Sequence, residues 1–565
     1  MVKHTLQDDH DHDTPVIVPN LDVTTLGGFE GKNPEQMLAA AQEADRVDHE
    51  LTIRQALRKY KVAVFWAMLL SCALIMEGYD VVVIGSFYGQ PQFIERFGSV
   101  GSDGKMAIQA KWQTSLSNAS VCGQLIGLAI NGFCQDRFGC RKTYIVGMCW
   151  MACVIFIPVF STSIGMLIAG EVLCGTAWGM FQTLSTAYAC EIVPTCLRPL
   201  VTGWVCMCWG AGIILSSGVV RAVLNVQGDL GWKLPFMLQW VWPVPLAIAA
   251  YLAPESPWNA IRRGNYAEAR KSLLRLRASD VHDEVPVDNT MAYMVHVTRL
   301  EEAETAGAGY AECFRGTNRR RTEINCVVWA AQILCGNAIL GYAVVFLQKA
   351  GFGVTASFNL NLITNCQYLV GGVACWFLMA RYGRATLYMV GLAAMCICLI
   401  ITGGLGCINS NSASTGVGVL LVIQTLINMT TVGPVCYPIV AETPSGRLRA
   451  KTITIGRIVY NITGIVTNSI TPRMISSTSW NWGAKCAFFY AGTNLLCLVW
   501  CWFRLPEVKE RTFGEIDLLF ENRVPARKFR STVVDQFAHG DAIALPAATP
   551  DLEEKKESVE HKEFI

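Results

Sequence analysis

The sequence predicts an all-α membrane protein with twelve transmembrane helices, arranged as two pseudo-symmetric halves of six. Of its 565 residues, 52% are hydrophobic and only 16% are charged, whereas a soluble globular chain carries about 25% charged residues. The hydrophobic residues are concentrated in segments of about 20 residues, the length of a helix that crosses a bilayer. Short motifs also recur in both halves of the chain, and such an internal repeat is typical of transporters.

Twelve hydrophobic segments are the candidate membrane helices. The first six cover residues 62–87, 115–134, 144–160, 164–189, 201–223 and 236–253. The second six cover residues 324–347, 358–379, 386–406, 416–440, 453–470 and 484–503. We therefore predict an N-terminal tail over 1–60, a first half over 61–253, a central loop over 254–323, a second half over 324–504 and a C-terminal tail over 505–565.

The same charged motifs occur once in each half, at nearly the same spacing along the chain. The corresponding residues are Glu191 and Glu442, Arg198 and Arg449, Arg137 and Arg381, and Pro254 and Pro506. Glu191 with Arg198 forms one motif, so these are three independent correspondences at nearly one spacing. They indicate two six-helix halves that run in the same direction through the membrane.

Basic residues in the loops predict which end of the helices faces the cytoplasm. The loops at 136–142, 381–384 and 445–451 and the central loop at 318–323 are rich in Lys and Arg. They fall on one side of the membrane together with both termini, and the positive-inside rule makes this side cytoplasmic. We predict a multi-pass protein of the plasma membrane.

The rest of the composition argues against several function classes. A net charge of +2 gives no reason to expect a nucleic-acid partner. Most of the 23 cysteines lie inside hydrophobic segments, so we interpret them as buried thiols rather than as disulfides or zinc ligands. The sequence has no nucleotide-binding loop, metal-ligand cluster or nucleophile–base pattern. We therefore expect no cofactor, no metal and no enzymatic activity.

Several motifs resemble those of the major facilitator superfamily and its sugar porter family. GFCQDRFGCRK at 132–142 is similar to the superfamily's loop motif, PESPW at 254–258 to the signature after helix six, and LPEVKERTFGEID at 505–517 to its counterpart after helix twelve. EGYD at 77–80, LCGTAWGMFQT at 173–183, GPVCY at 433–437 and WNWGAKCAFFYAGTNLL at 480–496 resemble the fungal maltose permeases, which are α-glucoside–proton symporters. The resemblance implies the major facilitator fold.

Charged residues at the cytoplasmic helix ends resemble a gating network that, in this family, closes the cytoplasmic side while the transporter faces outward. The residues implied are Asp136, Arg137, Arg141, Glu191, Arg198, Glu255, Arg381, Glu442, Arg449 and Glu507. An exposed pair contributes only ~0–1 kcal/mol, but several pairs together bias a two-state equilibrium. The alternative is that these charges only anchor the helix ends at the membrane surface.

Glu77 and Asp80 interrupt a segment that is otherwise suited to lipid. A charge in the bilayer core costs several kcal/mol, so such residues are functional by default. Their i,i+3 spacing places them on one helix face, and the resemblance implies that Asp80 carries a coupled proton. Glu171 replaces an Arg common in sugar porters and is a further candidate carrier, whereas Gln124 replaces an acid found in the maltose permease branch. A structural turn at GYD is the alternative.

Polar and aromatic residues of the second half are candidate substrate ligands. Sugars need amides and hydroxyls for hydrogen bonds and an aromatic face for stacking. The candidates are Gln332, which matches a glutamine of the family's helix seven, and Asn337, Tyr342, Tyr437, Arg457 and Asn461. Ile333 and Ile213 stand where the family carries two more sugar-binding glutamines, so we expect a more apolar cavity. Helix packing is the alternative for each amide.

Three functions remain open at this point. The first is a monomeric proton symporter that imports a sugar, such as the α-glucoside maltose or a hexose, through the lipid bilayer by alternating access. The second, favoured by Ile213 and Gln124, is a facilitator or an exporter of another small polar compound or a fungal secondary metabolite. The third is a nutrient sensor that does not transport, against which the short C-terminal tail argues.

Overall fold

The protein is described by a computed structural model that covers residues 51–534 apart from 101–105, 278–285, 306–308, 409, 446–447, 477–478, 510 and 512. Residues 40, 43–44, 46–47 and 543–544 are described as well. Most of the two predicted tails therefore lies outside the described residues.

Twelve long helices run through the described residues, and we number them α1 to α12. In the first half they are α1 (Lys61–Ser71 and Ala73–Phe87), α2 (Ala110–Phe138), α3 (Cys140–Val154 and Phe156–Val159), α4 (Ile164–Ile192), α5 (Arg198–Ala222) and α6 (Leu230–Leu238 and Pro243–Leu252). In the second half they are α7 (Gly316–Leu334 and Ala343–Lys349), α8 (Val354–Arg381), α9 (Arg384–Leu405), α10 (Asn411–Thr430 and Val432–Glu442), α11 (Arg449–Ile475) and α12 (Cys486–Arg504). The predicted all-α fold of two six-helix halves is confirmed.

The helices extend beyond the hydrophobic segments from which they were predicted. The predicted loop at 136–142 is only Gly139, because α2 continues to Phe138 and α3 begins at Cys140. Gly139 has a φ of 95°, a left-handed conformation that favours glycine and ends α2. Likewise α7 begins at Gly316, inside the predicted central loop.

Short elements connect these helices. Between α1 and α2 lie the helix Pro91–Phe97 and the antiparallel strands β1 (Ser99–Val100) and β2 (Met106–Ala107), and a second pair, β3 (Val533–Val534) and β4 (Ile543–Ala544), lies in the C-terminal tail. The helices Pro257–Arg262, Tyr266–Leu276 and Val287–Thr305 and the 3₁₀ turn Tyr310–Phe314 form the linker between the halves. The helix Ile53–Lys59 precedes α1, and Phe513–Glu521 with the turn Ala526–Lys528 follows α12. We call the end of the bundle that carries this linker the linker end, and the opposite end the far end.

Ten of the twelve helices are long and apolar enough to cross a membrane by length and composition. The other two, α2 and α11, are as long but more polar. They pack against each other across the boundary between the halves, where Asn118 Nδ2 donates to Ser469 Oγ at 2.9 Å. Their polarity follows from this position, because residues that face the other half are not exposed to lipid.

The hydrophobic core shows how the two halves are joined. One cluster of buried residues runs from the first half into the far ends of α7, α11 and α12, and includes Phe346, Met474 and Tyr490. A second cluster is confined to the second half, around Trp329 and Tyr388. The halves therefore share a packed core at the far end.

Candidate functional site

The three intramembrane acids of the first half divide into a pair and a single residue. Asp80 on α1 and Glu171 on α4 are buried, with exposed fractions of 1% and 0%, and their carboxylates are close enough to act electrostatically on each other. Glu77, one turn earlier on α1, accepts instead from Gln182 of α4. The sequence predicts one site shared by Glu77 and Asp80, whereas the structure gives the two acids different partners.

The arrangement of Asp80 and Glu171 suits a pair that shares a proton. Ionised carboxylates have only acceptor atoms, so a hydrogen bond between two of them requires one bound proton. Asp80 Oδ1 accepts from Gln239 Nε2 of α6 at 2.6 Å, whereas the Glu171 oxygens have no hydrogen-bond donor among the described residues. Two buried carboxylates this close together favour one shared proton over two negative charges.

Glu77 faces the second half of the molecule. Arg457 of α11 lies close enough to act electrostatically on its carboxylate. The guanidinium carbon of Arg457 lies 4.9 Å from the ring centre of Trp329 and 4.6 Å from that of Tyr460, both cation–π distances. An acid of one half thus stands opposite a cation that is held by aromatic rings in the other half.

Trp329 and Tyr460 were not among the predicted site residues, although the sequence contains a signal for both. Trp329 precedes Gln332 by three positions on α7 and Tyr460 follows Arg457 by three on α11, and side chains at i,i+3 share a helix face. The rings of Tyr437 and Tyr460 each lie 5.3 Å from that of Trp329, in edge-to-face contact.

Tyr437 belongs to the same group of rings and is not fully enclosed by protein. Its side chain is 47% exposed although it lies inside the span Ser412–Glu442, on the segment of α10 that reaches the linker end. Asn461 on α11 is buried, and its Nδ2 has no acceptor among the described residues. We use the name aromatic wall for a set of rings and polar groups in the second half. It consists of Tyr437, Asn461, Trp329, Tyr460 and Arg457.

The other predicted substrate ligands are engaged by the protein itself. Gln332 Nε2 donates to the carbonyl of Gly433 at 2.9 Å, and Asn337 Oδ1 accepts from Asn428 Nδ2 at 3.0 Å. Both bonds join α7, or the turn within it, to α10. Each side chain keeps some hydrogen-bonding capacity, and their role as ligands stays a prediction.

Tyr342 lies at the contact between the halves at the far end. Its hydroxyl donates to Ser117 Oγ at 2.9 Å, and its ring stacks on Tyr88 with centres 5.7 Å apart and an angle of 16°. The side chain is buried. This position differs from that expected of a ligand on the aromatic wall and suits a residue that holds the two halves together.

Further contacts close the far end. They are Gln348 Nε2 to the carbonyl of Gly89 (2.8 Å), Arg221 Nε to Asn359 Oδ1 (2.6 Å), Asn365 Nδ2 to Ser217 Oγ (2.7 Å) and Asn118 Nδ2 to Ser469 Oγ (2.9 Å). Each joins one half to the other. These bonds describe a conformer in which the two halves are held together at the far end.

At the linker end, two glutamates cap equivalent helices of the two halves. Glu255 accepts from the backbone N–H groups of Cys140 (2.9 Å) and Arg141 (3.3 Å) at the start of α3. Glu507 accepts from the N–H groups of Arg384 (2.8 Å) and Thr386 (3.2 Å) at the start of α9. A carboxylate at a helix N-terminus satisfies unpaired N–H groups and opposes the positive end of the helix dipole.

The glycine before each capped helix makes this approach possible. A Cβ at Gly139 would lie 2.7 Å from Glu255 Oε2, and a Cβ at Gly383 would collide with Glu507 Oε2. Burial raises the pKa of Glu255 above its ordinary value, while the N–H groups of Ser256, Arg141 and Cys140 and the Arg263 guanidinium act in the opposite direction.

The remaining acidic gating candidates pair with arginines that are not among the predicted gating residues. Glu191 forms an ion pair with Arg262 of the linker at 2.8 Å and accepts from the hydroxyl of Ser256. Glu442 pairs with Arg384 at 2.8 Å. Arg384 belongs to the basic loop at 381–384 but was not predicted as a gating residue. The acids of both halves thus bind cations at or beyond the helix ends.

The predicted gating arginines take several positions. Arg198 Nε donates to the carbonyl of Cys190 at 3.2 Å, and the guanidinium of Arg141 lies 5.7 Å from the ring centre of Tyr251. Arg137 and Arg381 are exposed, and Arg449 begins α11. The side chain of Asp136 lies outside the described residues. No group of three or more metal-binding side chains is found among the residues that the structure describes.

The chain folds into two parallel six-helix halves that are joined at the far end and that carry intramembrane acids and an aromatic wall. This architecture defines a secondary transporter of the major facilitator class. The chain belongs to the family described as "Sugar (and other) transporter", which it matches over residues 66–520. It is a multi-pass membrane protein of a transporter family.

Similar proteins agree with this family. The general alpha-glucoside permease of Saccharomyces cerevisiae is 40% identical over 504 residues, which are 88% of this chain and 82% of the permease. The maltose permease MAL61 of the same yeast is 38% identical over 529 residues, 93% of this chain and 86% of its own length. The proton:xylose symporter XylE has the same fold, with a TM-score of 0.64 and 17% identity over 82% of this chain and all of XylE.

Proposed function

We propose that this protein imports a sugar together with a proton by alternating access, and that the sugar is an α-glucoside such as maltose, or a hexose. The observation that carries the proton coupling is the buried Asp80–Glu171 pair. A second carboxylate brought out of water without a proton would cost several kcal/mol. The pair therefore binds a proton while the two carboxyl groups are buried together. It releases the proton only when the two side chains separate or water reaches them.

The transport cycle follows from the position of this pair. In the conformer open at the far end, Asp80 and Glu171 take a proton from that side and the aromatic wall receives the sugar. Closure of the far end through Tyr342 and its neighbours encloses both. Opening of the linker end then hydrates the site, and the proton and the sugar leave on that side.

The aromatic wall supports a pyranose as substrate. The apolar face of a sugar ring stacks on aromatic side chains, while its hydroxyls bond to amides and charged groups. Tyr437, Trp329 and Tyr460 supply rings, and Arg457 and Asn461 supply donors. The α-glucoside class is favoured because the similar yeast permeases are described by that substrate.

We place the linker end in the cytoplasm of a cell whose plasma membrane contains the protein as a monomer. Basic residues of the linker and of the short loops lie at this end, as the positive-inside rule requires. The capping glutamates Glu255 and Glu507, with the pairs Glu191–Arg262 and Glu442–Arg384, act as gating residues there, because each ties together elements that lie at this end.

The test is the pH of a weakly buffered suspension of yeast that lacks its own sugar transporters and expresses this chain. We expect the medium to become alkaline when maltose or glucose is added. Asp80→Asn and Glu171→Gln should abolish the alkalinisation. Asp229→Asn, at an exposed acid of the far end that pairs with Lys233 at 3.0 Å, is the matched control and should retain it.

A second candidate function is facilitated transport or export of a less polar compound. It is favoured by Ile213, which is buried where the family carries a sugar-binding glutamine, and by the internal bond of Gln332. No pH change with any sugar, despite protein at the cell surface, would contradict sugar symport and support this second function.

A further inference from the structure

A basic surface lies beside the membrane at the linker end of α12. It consists of the exposed residues Arg523, Arg527, Lys528 and Arg530, and we call it the tail basic surface. The residues that anchor the same segment are buried; these are Val524, Ala526 and Phe529. The segment therefore has one face packed against the protein and one face of cations directed outward.

The segment is held firmly against the second half. Arg320 Nη1 of α7 donates to the carbonyl of Val524 at 2.7 Å, and its guanidinium lies 5.6 Å from the ring centre of Phe529. Arg511 Nη2 donates to the carbonyl of Thr532 at 2.6 Å. These bonds fix both ends of the segment, so the outward cations keep a defined position.

Arg527 marks the level of the tail basic surface relative to the bilayer. Its guanidinium lies 4.8 Å from the ring centre of Trp502 and 5.0 Å from that of Phe503, and its Nε donates to the Trp502 carbonyl at 3.3 Å. These two aromatic residues are 55% and 61% exposed near the end of α12. Aromatic residues at helix ends sit among lipid headgroups, so Arg527 lies at headgroup level.

The carboxylates near the four cations pair with other residues or lie exposed. Nearby Glu323 pairs with Arg504 at 2.5 Å, and Glu515 pairs with Arg511 at 3.7 Å. Glu521 is exposed at the end of the preceding helix and offsets one of the four charges. Within the described part of the chain, no ion pair involves any of the four cations of the surface.

The equivalent region of the first half is different. After α6, Arg262 pairs with Glu191 and Arg263 lies 3.9 Å from Glu255. Basic residues therefore lie beyond both six-helix halves, and among the described residues Arg262 and Arg263 have carboxylate partners whereas the four cations of the tail basic surface have none. An internal gating role explains the first set and does not explain the second.

We propose that the tail basic surface binds the phosphate-containing headgroups of anionic phospholipids in the adjacent leaflet. Clusters of four or more Lys and Arg beside a transmembrane helix have this property, and the stacking of Arg527 on lipid-exposed rings brings the cluster to the headgroups. This site goes beyond the proposed transport function and does not depend on which solute is carried.

The test is native mass spectrometry of the full chain in detergent with added phosphatidylserine or phosphatidylcholine. We expect phosphatidylserine to be retained at least five-fold more than phosphatidylcholine. The variant R523Q/R527Q/K528Q/R530Q should lose this preference. The matched control R96Q/K111Q/R473Q/K485Q removes the same charge from exposed far-end residues and should keep it. If the first variant does not fold, K528Q/R530Q, which changes two side chains directed into solvent, should lower the preference about two-fold or more.

Three outcomes would overturn the proposal. The first is equal retention of the two lipids by the unmodified chain. The second is loss of the preference in the far-end control as well, which would show a general effect of net charge. The third is displacement of phosphatidylserine by millimolar inorganic phosphate or glycerophosphoserine, which would show a site for free phosphate rather than for a lipid surface.

Discussion

Removal of the Tyr342 hydroxyl tests whether its hydrogen bond to Ser117 sets the balance between the conformer closed at the far end and the conformer open there. Tyr342→Phe keeps the ring that stacks on Tyr88 and removes only the donor to Ser117 Oγ at 2.9 Å. A neutral hydrogen bond contributes about 0.5–1.5 kcal/mol, which corresponds to a factor of about 2–13 in an equilibrium constant. We therefore expect the far end to open about 2–13 times more often.

Hydrogen exchange measured by mass spectrometry is the assay. Where opening and closing are fast, the exchange rate of an amide is proportional to the population of the open state. Peptides that cover 85–90 and 337–348 should exchange about 2–13 times faster in Tyr342→Phe. Ser117→Ala removes the same bond from the other half, so the double variant should add little to either single change.

The control is Tyr144→Phe, which removes a hydroxyl donor of the same kind, to the carbonyl of Leu70 at 2.7 Å, entirely within the first half. It should leave far-end exchange unchanged relative to the rest of the protein. Unaltered far-end exchange in both Tyr342→Phe and Ser117→Ala would refute the reasoning. Unaltered exchange together with a changed apparent substrate affinity only in Tyr342→Phe would restore this residue as a ligand.

Three further outcomes are expected. Gly175→Val drives a side chain into the Ser120 carbonyl and should abolish monodisperse protein on size-exclusion chromatography. Gly165→Val, at a position where a side chain meets open space, should leave the protein monodisperse. Equal yields of monodisperse protein from the two variants would contradict this. Glu507→Gln removes the charge at the start of α9 and should lower the free energy of unfolding by about 1–3 kcal/mol, seen as a lower unfolding temperature. Burial raises the pKa of Glu255, so the stability that this carboxyl group contributes is present below its ordinary pKa and is lost as the pH rises through the raised pKa. The variant Glu255→Gln should therefore become more stable relative to the unmodified chain as the pH rises. A stability difference that stays constant with pH would contradict this.

Features that depend on regular spacing could be predicted from the sequence. The twelve helices follow from hydrophobic length, and the equivalence of Glu255 and Glu507 follows from the repeat, which the structure expresses as matching caps on α3 and α9. The polar character of α2 and α11 did not hide them, because each still contains a hydrophobic core segment.

Partners brought together by the fold could not be predicted in the same way. Glu191 binds Arg262, which lies outside its own motif, since the linker helix that carries Arg262 returns to α4 only in three dimensions. Asp80 was predicted to share a site with Glu77, its neighbour on the helix, but its partners come from α4 and α6. Sequence spacing gives the face of a helix and not the helix that packs on it.

The division of polar groups between the halves connects proton and sugar. The acids belong to the first half and the aromatic wall to the second, so the Asp80–Glu171 pair alone cannot sense the sugar. Glu77 and Arg457 face each other across the boundary, and the attraction between opposite charges increases as their distance and the local dielectric constant fall. Any change in the angle between the halves changes that distance. The charge state of Glu77 is therefore linked to the conformer. Under the proposed function, a sugar that contacts Arg457 on the aromatic wall would act on the same link.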